Sequence, residues 1–249
     1  WLEKNENEDL NQGAYTVHDL NEESQLENPL DRISSIFSID FDSDGDIDII
    51  ASGFQNDMIG VYLNDGTEGF EFIEIGNPNG PLFVSVVDLD NNGFLDIVCA
   101  SLYDNTVQWY KTEPVDDSGQ MSYSHEIISN SAVGPASLAV EDIDNDGDLD
   151  LYVADFYAQD FLYQNQGDGT FNEVGRSRGL VNLERRGNVT SVAWGDYNTD
   201  GLVDFYIGKF YFANELYNNN GDGTFTRSYA ESAPHGDAQR FLRLSITVE

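Results

Sequence analysis

The sequence predicts an all-β repeat protein in which units of four antiparallel strands form a single array. An acidic nine-residue loop recurs four times, and its first residues, Asp40, Asp88, Asp142 and Asp196, lie 48, 54 and 54 residues apart. That period is typical of propeller blades and solenoid repeats. Short runs rich in β-branched residues enter and leave each loop, and each repeat holds four such runs with alternating polarity.

The chain divides into one partial unit, four complete units and the start of another. Residues 1–21 align with 109–129, since each stretch has a Trp-led strand, an acidic loop and an alternating strand with a histidine. We therefore expect 1–21 to form the outer strands of a partial unit. The complete units are predicted at 34–75, 82–129, 136–175 and 190–230. Residues 240–249 match the first strand of the third unit, and no separate domain is expected in 1–249.

Charge and composition narrow the class of partner. The formal charge is −35, from 46 acidic and 11 basic residues, which opposes binding to nucleic acid or anionic lipid and favours cations. The apolar content of 40% is too high for a disordered acidic chain. The lone Cys99 lies in an apolar strand and is predicted to be buried. One cysteine cannot form an internal disulfide, so bound metal is the expected cross-link.

Targeting signals are not evident in the sequence. There is no apolar run of 18 residues and no visible signal peptide. The chain begins at Trp1, and a processed or truncated N-terminus explains this better than a cytosolic location does. We expect an extracellular or cell-surface protein with no membrane insertion in this segment.

The acidic loops are predicted to bind a hard cation. Their pattern is D-x-[DN]-x-[DN]-G-x-x-D, with side-chain oxygens at positions 1, 3, 5 and 9, a turn-permitting Gly at 6 and a usable carbonyl at 7. Such ligands suit about four calcium ions, one for each loop. The predicted ligand residues are Asp40, Asp42, Asp44, Asp46, Asp48, Asp88, Asp90, Asn92, Phe94, Asp96, Asp142, Asp144, Asp146, Asp148, Asp150, Asp196, Asn198, Asp200, Leu202 and Asp204.

Alternatives to calcium fit the loops less well. An EF-hand would place a Glu at position 12 and helices on both sides, and zinc would need His or Cys. Asp-Gly clusters also form tight turns without any metal. We expect the loops centred on Asp44 and Asp146 to bind more tightly than those with Asn92 or Asn198, because they carry more ligand charge. Folding should then depend on calcium.

The four loops, together with NQGDGTF at Asn165 and NNGDGTF at Asn219, resemble the calcium-binding FG-GAP and VCBS repeats of integrin α-subunits and secreted bacterial proteins. The resemblance covers nearly the whole chain. It implies a β-propeller of four-stranded blades, with calcium between the first and second strands. The second unit has EPVDDSGQMSY in place of the GDGTF turn, which affects only its outer hairpin.

A propeller of this kind has two different faces. We expect the acidic loops and the turns between third and fourth strands on one face, the loop face, and the remaining connections on the other, the far face. Several aromatic residues and the arginine-rich segment 175–188 are expected on the far face, and four aromatics are candidate ligand contacts: Phe156, Tyr157, Phe210 and Tyr211. They could instead pack between blades. Asn188 begins a possible glycosylation sequon.

The functional prediction is a secreted or cell-surface module that binds a protein or glycan in adhesion or recognition. One alternative is a structural subunit that assembles through open blade edges into a filament, since an exposed edge recruits strands. Another is a polysaccharide lyase-like enzyme, with these candidate residues: Arg176, Arg178, Arg185, Arg186 and Lys209. No catalytic constellation is visible, and His18 and His125 read as structural because they occupy matching positions.

Overall fold

A computed structural model describes residues 2–4, 15–17, 30–67, 69–113, 121–180, 189–210 and 213–230. Within these ranges the protein consists of strands and turns. Two short strands, β1 (Leu2–Lys4) and β2 (Tyr15–Val17), pair antiparallel. The other sixteen strands form four antiparallel sheets of four strands each. The predicted all-β propeller architecture of four-stranded blades is therefore confirmed.

The four sheets follow the chain in order and are numbered blades 1 to 4. Blade 1 contains β3 (Ile33–Ile39), β4 (Asp48–Gly53), β5 (Met58–Asn64) and β6 (Phe70–Gly76). Blade 2 contains β7 (Pro81–Val87), β8 (Asp96–Ser101), β9 (Thr106–Glu113) and β10 (Ser122–Ser129). Blade 3 contains β11 (Pro135–Glu141), β12 (Asp150–Asp155), β13 (Phe161–Asn165) and β14 (Phe171–Glu173). Blade 4 contains β15 (Val189–Gly195), β16 (Asp204–Lys209), β17 (Glu215–Asn219) and β18 (Phe225–Ala230).

Each pair of consecutive blades shares a hydrophobic core. The first strands β3, β7, β11 and β15 lie next to one another in sequence order. Side chains of blades 2 and 3 pack together around Trp109 and Leu151, and those of blades 3 and 4 around Tyr152 and Phe205. The second strands β8 and β12 are buried along their whole length, because neighbours cover both faces. This explains their nearly continuous apolar sequences.

A bulge recurs at the start of the first strand in every blade. The pairing register between first and second strands shifts at the same place, for example between Pro81 and Phe83 in blade 2 and between Pro135 and Ser137 in blade 3. A bulge adds one residue to one strand and increases its twist. The acidic loops themselves lie at the opposite ends of these strand pairs, where the pairing is regular.

Cys99 and His125 have structural surroundings. Cys99 is buried in β8, which confirms the predicted buried thiol, and burial raises its pKa to about 12 and so disfavours the nucleophilic thiolate. The His125 ring stacks on Tyr110 at a centroid distance of 4.9 Å, and its Nε2 lies 3.0 Å from Gln108 Oε1. His18 lies outside the described residues.

A buried polar cluster lies between blades 3 and 4. Lys209 Nζ is 3.1 Å from Glu215 Oε2, and both side chains are at most 7% exposed. Nearby, Asp160 accepts hydrogen bonds from the Asp155 N–H at 2.8 Å and the Tyr152 hydroxyl at 2.9 Å. Burial outweighs these bonds and the charge of Lys209, and raises the pKa of Asp160 to about 7. Asp160 therefore takes up a proton on folding in mildly acidic solution.

Substituting Asp160→Asn is expected to flatten the pH dependence of stability. The folded-state pKa of Asp160, about 7, exceeds its ordinary value of 3.8. The contribution of Asp160 to the free energy of unfolding is therefore fully present below pH 3.8 and is lost as the pH rises to 7. Within that window the free energy of unfolding of the wild type should fall with rising pH more steeply than that of the variant, by up to about 1.4 kcal/mol per pH unit. Urea unfolding of both proteins across the window measures this, and parallel slopes would rule the effect out.

Candidate metal centres

Each acidic loop closes on itself through its first carboxylate. Oδ2 at position 1 accepts a hydrogen bond from the N–H of the position 6 glycine in all four loops, at 2.8 to 3.1 Å. These glycines have φ of 85 to 101°, a backbone conformation that side-chained residues rarely adopt. The position 4 residue is also left-handed in each loop. The four sequence copies thus fold into one local structure.

The carboxylate at position 9 ties each loop to the third strand of its blade. Asp150 accepts a hydrogen bond from the N–H of Asn165 at 2.9 Å and one from Ile143 at 3.4 Å. Equivalent bonds to a third-strand residue and to position 2 occur in the other loops. The four carboxylates involved, at most 3% exposed, are Asp48, Asp96, Asp150 and Asp204.

Burial makes the ionised form of these carboxylates costly. It raises the pKa of Asp96 to about 6 and that of Asp150 to about 7, against an ordinary value of 3.8. The pKa values of Asp42 and Asp48 are also raised, first by burial and also by neighbouring carboxylates. A cation bound among these groups would stabilise their ionised forms and remove the mutual repulsion.

Three of the loops bring carboxylates close enough for a shared ion. In each, ligand oxygens from three residues lie within 4.8 Å of one another: Asp40, Asp42 and Asp48; Asp88, Asp90 and Asp96; Asp142, Asp144 and Asp146. Two carboxylate oxygens of these residues, Asp40 Oδ1 and Asp144 Oδ1, are buried and have no hydrogen-bond partner among the described residues. A buried oxygen without a partner is costly, and these two fit an oxygen-binding cation. These acidic clusters could hold metal ions.

The fourth loop has the same backbone but a looser ligand set. Position 3 is Asn198, and the described residues supply no group of three close carboxylates from this loop. As in the second loop, the side chains at positions 1 and 3 both accept a hydrogen bond from the position 5 N–H, here Asp196 and Asn198 from Asp200 at 3.1 and 2.9 Å.

The residue type at position 7 varies more between loops than at the other ligand positions, although its backbone contact does not. Its N–H donates to the position 5 side chain in every loop, at 2.8 to 3.0 Å. Phe94 and Leu202 could contribute only a carbonyl. The Asp148 carboxylate instead accepts a hydrogen bond from Asn91 of the second loop at 3.2 Å, which links blades 2 and 3.

Asparagines of the NxGDGTF turns join neighbouring blades on the loop face. Asn165 Nδ2 donates to the carbonyl of Leu89 in the second acidic loop, at 3.1 Å, and Asn219 Nδ2 donates to that of Ile143 in the third, at 3.1 Å. Both bonds span 76 residues of sequence. The repeated Asn was visible in the sequence, but only the packing of blades reveals its partner.

The expected position of one arginine was wrong. Arg178 does not lie on the far face, because its segment folds back after β14 and places the guanidinium 2.9 Å from Asp144 Oδ2. Lys209 is held in the buried pair with Glu215, and Arg176 is exposed. Arg185, Arg186 and Asn188 lie outside the described residues.

The far face presents aromatic rings at the connections after the second strands. Tyr103 packs against Phe54 at a centroid distance of 5.4 Å, and Phe156 meets Tyr157 edge-on at 5.0 Å. Tyr103, Tyr157 and Phe210 are 59, 63 and 65% exposed, whereas Tyr211 lies outside the described residues. A side chain at Gly80 or Gly134 would clash with Tyr103 or Tyr157. The lack of a side chain at these glycines therefore leaves room for the exposed rings.

Comparison with known proteins gives one family match. A model described as an FG-GAP-like repeat matches three times, over residues 40–99, 88–153 and 142–207. Cartilage acidic protein 1 of Xenopus tropicalis is 33% identical over 103 residues, which covers 40% of this chain and only 16% of that protein. The described part of the chain contains no helix long and apolar enough to cross a membrane.

Solved structures are similar in fold at low sequence identity. A proposed 6-phosphogluconolactonase of Bacteroides uniformis superposes with a TM-score of 0.53 at 15% identity, over 81% of this chain and 55% of that one. Virginiamycin B lyase of Staphylococcus aureus gives a TM-score of 0.49 at 12% identity, over 78% and 54% of the two chains. The first likeness concerns the fold alone.

Proposed function

The chain belongs to the family of FG-GAP-like repeat proteins, and on that basis we propose that it is an extracellular, calcium-stabilised propeller that recognises a protein or glycan through its far face. The arrangement of the two faces carries this proposal. Clustered, partly buried carboxylates lie on the loop face, while exposed aromatic rings that pack against glycines lie on the far face. Metal sites would hold the blades in place, and the aromatic rings would contact the partner.

Calcium suits the three acidic clusters better than other common ions. Their side-chain donors are all oxygens, which excludes sites that depend on His or Cys. Calcium accepts six to eight oxygens in flexible geometry, whereas magnesium requires a nearly ideal octahedron. A loop that offers carboxylates at alternate positions and a carbonyl at position 7 supports the larger ion.

An extracellular location is supported by the family and by the name of the Xenopus relative, cartilage acidic protein. Calcium sites of moderate affinity fill readily in extracellular fluid, where the ion is abundant. The charge of −35 also favours cationic or neutral partners over nucleic acid.

Exposed aromatic rings are well suited to recognition. They provide large contact areas at low entropic cost and account for many of the strong contacts at interfaces. Tyr103 and Tyr157 occupy equivalent places in blades 2 and 3, so one partner could contact both. The lyase alternative is less well supported, since Lys209 is buried in an ion pair and Arg178 lies on the loop face.

Replacing both Tyr103 and Tyr157 by Ala is expected to weaken partner binding at least about tenfold. Arrays of glycans and extracellular-matrix proteins, probed with the calcium-loaded chain, would first identify a partner. The matched control is Ile127→Ala, which removes another exposed apolar side chain, on the outer strand β10. Equal binding by the double variant and the control would place the recognition surface elsewhere.

A further inference from the structure

We propose that Lys111 and Arg178 are built-in competing cations that weaken divalent-ion binding at the second and third loops, so that the first loop binds most tightly. This inference rests on the proposed calcium sites and adds a ranking among them. Ligand charge alone predicted that the first and third loops bind calcium equally tightly. The two basic side chains change that order.

Lys111 neutralises part of the second loop. Its Nζ lies 2.5 Å from Asp90 Oδ2, the carboxylate at position 3, and its side chain is only 26% exposed. The same ammonium lies 5.4 Å from the centre of the Trp109 ring, which keeps it over the loop. Lys111 directly precedes Thr112, whose N–H donates to Asp96 at position 9. This place in β9 therefore lies beside the second loop.

Arg178 performs the same role at the third loop from a different part of the chain. One guanidinium nitrogen lies 2.9 Å from Asp144 Oδ2, again at position 3, and another donates to the carbonyl of Gly223 at 3.0 Å. The Arg178 carbonyl accepts a hydrogen bond from the Phe225 N–H at 2.7 Å. These contacts hold the arginine between the third loop and the hairpin of blade 4.

The first loop has no such basic neighbour in the part of the chain that the structure describes. Leu63 occupies the place of Lys111, and within the described ranges no Lys or Arg forms an ion pair with its carboxylates. It offers four carboxylates at positions 1, 3, 5 and 9. The second loop offers three against Lys111, and the third offers four against Arg178. The fourth offers three with Asn218 at the corresponding place. The first loop therefore keeps the highest uncompensated charge.

Two opposite effects of a basic neighbour have to be distinguished. A hydrogen-bonded neighbour can orient a ligand and strengthen metal binding, whereas a fixed positive charge repels a divalent ion. The charge should dominate, because repulsion between a monovalent and a divalent cation several ångströms apart weakens binding about tenfold even at high dielectric constant. Asp144 also keeps Oδ1 for the ion when Oδ2 is held by Arg178, so the carboxylate remains a ligand.

Calcium titration calorimetry of Lys111→Met and Arg178→Met tests the ranking. Methionine keeps much of the side-chain length and removes the charge, so each variant should tighten one class of sites about tenfold, and the double variant two classes. Lys111→Arg and Arg178→Lys keep the charge and should bind like the wild type. The matched control is Arg227→Met, since Arg227 pairs with Glu215 away from the loops.

The outcomes separate this inference from the proposed function. Unchanged or weaker binding in both Met variants, with normal binding by the wild type, would overturn the competing-cation role alone. A wild type that binds no calcium would overturn both. If Arg178→Met unfolds because its contact with Gly223 is lost, Lys111→Met still decides the question. Circular dichroism of each variant identifies that case.

Discussion

Chelating calcium is expected to lower the free energy of unfolding by roughly 8 kcal/mol. A ligand that binds only the folded state at 100 times its dissociation constant stabilises that state by about 2.7 kcal/mol, and the structure holds three close carboxylate clusters. These clusters contain buried carboxylates that repel one another without a cation. Urea unfolding in calcium and in excess EGTA would measure the difference.

Magnesium and a turn variant provide the controls for that experiment. Replacing calcium by magnesium at equal concentration should recover only a small part of the stability, since magnesium rarely accepts this kind of ligand set. Asp222→Ala removes an exposed carboxylate that caps a turn, and it should leave the calcium effect unchanged. Identical unfolding curves in calcium and EGTA would contradict a stabilising role for the loops.

Substituting Asp150→Ala is expected to destabilise the protein by about 2 to 4 kcal/mol even without calcium. The substitution leaves the N–H groups of Ile143 and Asn165 without their acceptor in a buried position, and each unsatisfied buried donor costs about 1 to 3 kcal/mol. The gain from removing a carboxylate with a raised pKa offsets part of this loss. Urea unfolding in EGTA separates the structural effect from the loss of a metal ligand.

A second substitution in blade 3 serves as the comparison. Asp168→Ala removes an exposed carboxylate that accepts hydrogen bonds from Thr170, where water can replace it. Its effect should be much smaller than that of Asp150→Ala. Equal effects would mean that the position 9 carboxylate is not a structural tie between the loop and the third strand.

Local sequence patterns were sufficient to predict the blades and the acidic loops. Alternating polarity and glycines at fixed offsets encode strands and left-handed turns within about ten residues. This is why the loops around Asp44 and Asp146 could be recognised as equivalent. The structural role of position 9 was less visible, because its two backbone donors lie 7 and 15 residues away in different elements.

Contacts between blades could not be predicted in the same way. Arg178 and Asp144 are 34 residues apart, and no periodicity connects a basic residue after β14 with a carboxylate before β12. The raised pKa of Asp160 likewise depends on burial between two blades. Such features arise from packing, so the sequence supplied the residues but not their partners.

Isothermal titration calorimetry of the wild-type chain with calcium tests whether the acidic loops are calcium sites. We expect saturable binding of three to four ions per chain, with the tightest site lost in Asp42→Asn or Asp44→Asn. Both variants should retain folded circular dichroism in calcium, because the other loops are intact. Absence of saturable binding at millimolar calcium, or unchanged binding in both variants, would contradict the assignment of the acidic loops as calcium sites.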